Sequence, residues 1–243
     1  DLSIIKSNGI DEVQLLYDEY FEFEDNLRNE LLDLRDNLSK SDDLKKYSKK
    51  IKDTEKKFTL FNGKIVNKVI NKTGLQIDLI GFHGQTILHL AREKISEQLG
   101  DGNLLSLILK CLVVNKFRQN DLDNNGQGAP LTPIFHNLIS KKLNESSNLK
   151  YPIDIINIGG ITNVTQIIND GHVEQNTFAY DVAPGNCLID EWLRKNNSKK
   201  YDKNGDIANL GRVDDLIFNQ AIENFEITSI KESLDVKDFD LSF

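Results

Sequence analysis

Asp181, at the end of the run TFAYDVAPGN, is the side chain best placed to do chemistry. It follows a short stretch expected to be a buried strand and precedes a turn that opens a helix near Asn186. Such a carboxylate can cap a helix. The spacing argues against that use, because Asp181 falls about one turn too early, whereas Asp190 and Glu191 belong to the helix itself. Its expected place is the mouth of a cleft, in a catalytic role. Gly159 and Gly160 raise a second question, since they split two apolar runs in IDIINIGGITNVTQIINDG. A tight turn needing positive φ accounts for them, and so does a bulky, charged guest that must approach the backbone.

Two further loops share this character: HGQT (83–86) and GQGAP (126–130), beside NIGGITN (157–163) and DVAPGN (181–186). Each follows an expected strand and precedes a helix or return strand, and ligands of open α/β sheets bind at the carboxyl ends of strands. His83 has no G-x-S-x-G serine to serve, so a turn or hydrogen-bonding role is expected of it. His89, His136 and His172 show no partner pattern. Trp192, at helical spacing with leucines, is expected in the core.

The elements that must position these loops follow from periodicity. DLSIIKSNGIDEVQLLYDEYFEF reads as a strand, a turn and further alternation. From about Asn26 to Ile70 the spacing is helical, with Asp and Glu interleaved among Lys in a solvated face. Residues 77–90 read as two short strands about a Gly-bracketed turn, and residues 103–117 as a helix giving way to a strand near Val113. A helix is expected from near Thr132. Strands alternating with helices imply an α/β fold with a mostly parallel sheet fed by hairpins. Asp1–Gly9 and Asp154–Gly171 each look like the first hairpin of a lobe.

Composition narrows the classes. The 243 residues are 39% hydrophobic, enough for one large domain or two lobes. A net charge of −8 offers no general attraction for nucleic acid. No apolar run approaches bilayer length, so no membrane partner is expected. Cys111 and Cys187 suggest neither a disulfide framework nor zinc, which favours a reducing, cytoplasmic setting. With no Met, and an opening inside a strand at Asp1, the chain is expected to be a piece of a longer protein.

GFHGQT, LGDGNLL, NKFRQNDLDNNGQGAPLTPIFH, NIGGITNVT, YDVAPGNCLIDEW, YDKNGDIANLGRV and ESLDVKDFDLSF resemble the anhydro-N-acetylmuramic acid kinases in order and spacing. The resemblance leaves only residues 26–70 unmatched. It implies the actin/sugar-kinase/Hsp70 fold: two ribonuclease-H-like lobes with ATP and substrate between them. The lobes are expected at 1–149, lacking an N-terminal phosphate loop, and 150–243, an incomplete second lobe; such a fragment is expected to be inactive alone.

The same resemblance implies the reaction. ATP with Mg2+ is the co-substrate, and a 1,6-anhydro amino sugar is opened by water and phosphorylated on O6. Asp181 falls where the family has its general base, and Gly159 and Gly160 where backbone amides approach nucleotide phosphates. His83, Gln85, Thr86 and Gln127 fall where the sugar side of the cleft would be lined; no metal ligand is assigned, and a homodimer is left open. The alternatives are another sugar kinase of the superfamily or a nucleotide-binding relative without turnover. The chain departs from the family's D-T-G-P at Val182 and Ala183, the latter expected to restrict the turn, and carries Asn125 where Gly is common.

Overall fold

Leu27, Leu31, Leu34 and Leu38 recur at intervals of four, three and four, which places them on one side of a helix. The computed structural model, which describes residues 1–147, 149–169, 176–197, 199, 201–224, 234 and 239, forms that helix as α1 (Asp25–Asn37), with Leu38 as its C-cap, and buries all four leucines. Ile51 and Phe58 face them from α3 (Ser48–Thr73), reached through the short α2 (Ser41–Lys46). The core continues into Phe82, Ile87, Leu88, Leu99 and Leu105, with the rings of Phe58 and Phe82 stacked at 5.9 Å. The charged stretch expected to be helical therefore is so, with Lys45, Lys46 and Lys49 in solvent.

The chain divides into two compact units, Asp1–Leu131 and Thr132–Phe243. The first opens on an antiparallel hairpin of β1 (Leu2–Ser7) and β2 (Val13–Glu19). After α3 come β3 (Leu79–Phe82), β4 (Gln85–Leu90), β5 (Ile95–Leu99), α4 (Gly102–Leu109), β6 (Leu112–Asn115) and α5 (Phe117–Asp123). β3 pairs with β6 in parallel, the α4 connection carrying the chain across, while β4 and β5 are antiparallel. Asp101 starts α4 by accepting the Leu104 N–H at 2.9 Å, as an N-cap does.

In the second unit α6 (Pro133–Ser147) leads to a three-stranded antiparallel sheet of β7 (Ile153–Ile158), β8 (Ile161–Ile167) and β9 (Thr177–Pro184). The helices α7 (Asn186–Asn196) and α8 (Asp215–Asn224) follow. α6 belongs to this unit because polar groups buried at its contact pair with the sheet: His136 Nδ1 lies 2.7 Å from Thr165 Oγ1, and the Asn137 amide donates to Thr177 Oγ1 at 3.2 Å. These contacts place α6 with the three-stranded sheet.

The mixed α/β class holds. The mostly parallel sheet does not: among the described residues β3–β6 is the parallel pair and the other pairings are antiparallel, because most strand connections are too short for a crossover. Trp192 is 48% exposed and Phe178 53%, so the core place of the first and the buried run around the second are both corrected. Among the described residues no helix is long and apolar enough to cross a membrane. His172 lies outside the described residues.

Candidate functional site

In the first unit the HGQT and GQGAP turns meet through α5. Gly84 has φ +75°, and a Cβ there would lie 2.4 Å from the Leu99 carbonyl oxygen. Only glycine lets β4 turn back so closely on the end of β5. Gly128, at φ +72°, is held the same way, with the space of a Cβ taken by His89 at 2.9 Å and Leu122 at 3.1 Å. Asp121 secures the second turn, its Oδ2 accepting the Gly128 N–H at 2.7 Å and its carbonyl the Gly126 N–H at 2.8 Å. Asn125 carries a φ of 69°, which explains why glycine suits that position and why Asn tolerates it.

Arg118 spans the two turns. Its Nε donates to His83 Nε2 at 2.9 Å and its Nη1 to the Gly128 carbonyl at 2.8 Å. His83 Nδ1 lies 2.8 Å from the Gly84 carbonyl, and the Gln98 amide lies 3.2 Å from His83 Nε2 and 3.3 Å from Thr86 Oγ1. The imidazole sits below histidine's ordinary pKa, chiefly through burial, with the Arg118 guanidinium adding to this and the Gly84 carbonyl opposing it. Gln85 and Gln127 are exposed. Of the four residues assigned to the sugar side, His83 and Thr86 thus share one hydrogen-bonded cluster. Gln98 and Arg118 were missed; the signal for Arg118 was a cation on the helix that leads into the glycine-rich loop.

In the second unit Gly159 and Gly160 join β7 to β8. Neither has a φ in the left-handed region. A Cβ on Gly159 would come no nearer than 3.6 Å to the Ile161 carbonyl oxygen and 3.7 Å to the Asn157 amide, which is ordinary contact. The tight-turn explanation therefore fails at both, and crowding by the described residues fails at Gly159. Their carbonyls are engaged by the start of α7: Gly159 accepts from the Asn186 N–H at 2.7 Å, and Gly160 from Gly185 at 2.9 Å and Cys187 at 3.3 Å. The glycine pair and the helix start form one hydrogen-bonded corner.

Asp181 lies inside β9, half-buried, opposite Asn163 of β8. The α7 helix begins only after Gly185, so Asp181 does not cap it. The register slips between Thr162 and Asn163, which leaves Val182 as the extra residue of a bulge beside the carboxylate. Bulges re-aim neighbouring side chains and recur next to active sites. Ala183 is paired with Thr162 within the strand, so Ala does not restrict a turn there. Asp181 Oδ2 accepts the Leu234 N–H at 2.8 Å. Asn163, opposite Asp181, stands three residues after Gly160, so at most roughly 10 Å of chain separates them.

Among the described residues no group of three or more His, Cys, Asp or Glu is arranged to hold a metal ion, and both cysteines are free.

Residues 1–227 match the family model described as anhydro-N-acetylmuramic acid kinase. The chain is 48% identical to the anhydro-N-acetylmuramic acid kinase of Pelagibacter ubique, over 100% of this chain and 64% of that protein. It is 39% identical to that of Methylobacterium nodulans, over 69% of this chain and 43% of the relative. The corresponding kinase of Rhodospirillum rubrum is 38% identical over 68% of this chain and 41% of its own length. The chain therefore spans less than two thirds of the length of these relatives. By the match across nearly all its residues, it belongs to the anhydro-N-acetylmuramic acid kinase family.

Proposed function

We propose that the protein containing this chain is a carbohydrate kinase that opens 1,6-anhydro-N-acetylmuramic acid with water and phosphorylates O6. The products are N-acetylmuramic acid 6-phosphate and ADP, and the setting is recycling of cell-wall sugars in the cytoplasm. The observation that carries the reading is the pairing of two features in the second unit: a glycine at 159 that neither its own φ nor its packing requires, and a carboxylate at a bulge on the strand next to β8. The relatives' names supply the substrate.

Asp181 is the general base. It takes a proton from a water that attacks the anomeric carbon on the face opposite the bridging oxygen, and its charge favours the oxocarbenium character of the transition state. As the new bond from water to C1 forms, the C1–O6 bond breaks, and O6 takes the phosphoryl group rather than a proton. General-base action of this kind is worth about 10²–10⁴-fold. Mg2+-ATP, when bound, supplies that phosphoryl group. Gly159 and Gly160 give its phosphates room to approach backbone N–H groups; no residue of this chain is assigned to the metal. His83 and Thr86, held by Arg118 and Gln98, line the sugar side together with Gln85 and Gln127.

Turnover in water enriched in the heavy oxygen isotope tests the chemistry, using a protein extended to the full length of the relatives. Ring opening by hydrolysis places solvent oxygen at C1 during the reaction and leaves O6 unlabelled. Phosphorylation of an already free hydroxyl, as in an ordinary sugar kinase, incorporates no solvent oxygen and would overturn the reading.

A further inference from the structure

We propose that Arg118 is a positioning residue that ties the HGQT turn to the GQGAP turn and holds His83 as a neutral imidazole with its proton on Nδ1. This rests on the reading of those turns as the sugar side. Arginine has donors and no acceptor. Its Nε–H therefore points at a bare His83 Nε2, 2.9 Å away, and the ring proton is on Nδ1, 2.8 Å from the Gly84 carbonyl, which can only accept. The same guanidinium donates to the Gly128 carbonyl at 2.8 Å. One planar side chain thus fixes two left-handed glycine turns that sequence separates by more than forty residues.

The arrangement settles what His83 does. Its Nε2 lone pair is occupied by Arg118 and approached by the Gln98 amide, so the ring is not a base toward substrate. The charged group set against the ring is the Arg118 guanidinium; Gln98, Thr86 and the Gly84 carbonyl around it do not titrate. The loop therefore presents a ligand with one fixed tautomer of His83, whose charging is displaced to lower pH than that of an ordinary imidazole, about 6.5.

The test is a titration of the protein at the relatives' full length, labelled with nitrogen-15 in its imidazoles and read by NMR, for wild type, Arg118→Met and Arg118→Lys. Wild-type His83 is expected to keep a protonated Nδ1 and a bare Nε2 through that range. Arg118→Met should let it titrate near its ordinary value with mixed tautomers. It should also raise the KM for the sugar about tenfold, as loss of a charge-assisted hydrogen bond does, with a smaller change in kcat. Arg118→Lys keeps the charge and much of the volume but cannot span both partners, so it serves even where the Met variant fails to fold; its His83 should also lose the single tautomer. An unchanged His83 tautomer and titration in the folded variants overturns the proposal. An altered tautomer with an unchanged sugar KM supports the Arg118–His83 coupling and overturns the sugar-side reading instead.

Discussion

Gly185 sits so close to Gly159 that a Cβ added to it would lie 2.3 Å from the Gly159 carbonyl oxygen and 3.1 Å from Thr162 Oγ1. This contact, with the N–H groups of Gly185, Asn186 and Cys187 donating to the glycine pair, seats the start of α7 on the β7–β8 turn. A bare Cα at 185 is required by this close packing. At 159 it is not, because a Cβ there meets only ordinary contacts. The two glycines of one corner therefore have different reasons to be glycine.

Alanine at each position separates those reasons. Gly185→Ala forces backbone to shift and is expected to cost about 1–3 kcal/mol of stability, in the manner of overpacking. Gly159→Ala should leave the denaturation midpoint within about 0.5 kcal/mol of wild type, while weakening nucleotide binding measured by calorimetry. A Gly159→Ala protein that binds ATP normally would remove the phosphate role from this turn.

Much of this layout was readable beforehand. The leucine stripe of α1, the strand pair about HGQT and the helix opening at Asn186 each announce themselves through a local period or a glycine turn. Asp181 could be set apart from a helix cap by counting residues alone. Arg118 and Gln98 could not be found that way, since their partners lie 35 and 15 positions distant and depend on how β3, β5 and α5 pack. Nor could the choice between the two accounts of the Gly159–Gly160 pair, since excluding the tight turn depends on a φ that sequence does not display. Trp192 misled because helical spacing marks a face without saying whether anything covers it.

Glu97, on β5, provides a test of the first unit's electrostatics. Its carboxyl is pushed above the usual range, first by burial and then by the neighbouring Glu55 carboxylate, with Lys116 opposing. A carboxyl raised in this way retains a proton that the unfolded chain gives up. Its stabilising share is complete below the unfolded value of 4.5 and is lost as pH rises through the higher folded value. Glu97→Gln is permanently neutral, so it should gain on wild type as pH rises, with the gap closing toward about pH 4. Urea midpoints across that range measure it; a gap that does not vary with pH would contradict the assignment.

Asp181 is the residue on which the chemistry turns. In a protein of the relatives' full length, Asp181→Asn keeps the size and much of the hydrogen-bonding capacity of the side chain but removes its ability to take a proton from water. The decisive measurement is steady-state turnover of anhydro-N-acetylmuramic acid by this variant, alongside calorimetric binding of the sugar and of ATP. Turnover is expected to fall by at least about 10²-fold, with both ligands still bound at close to wild-type affinity. Near-normal turnover would show that the proton goes elsewhere and that the carboxylate at 181 is not the base.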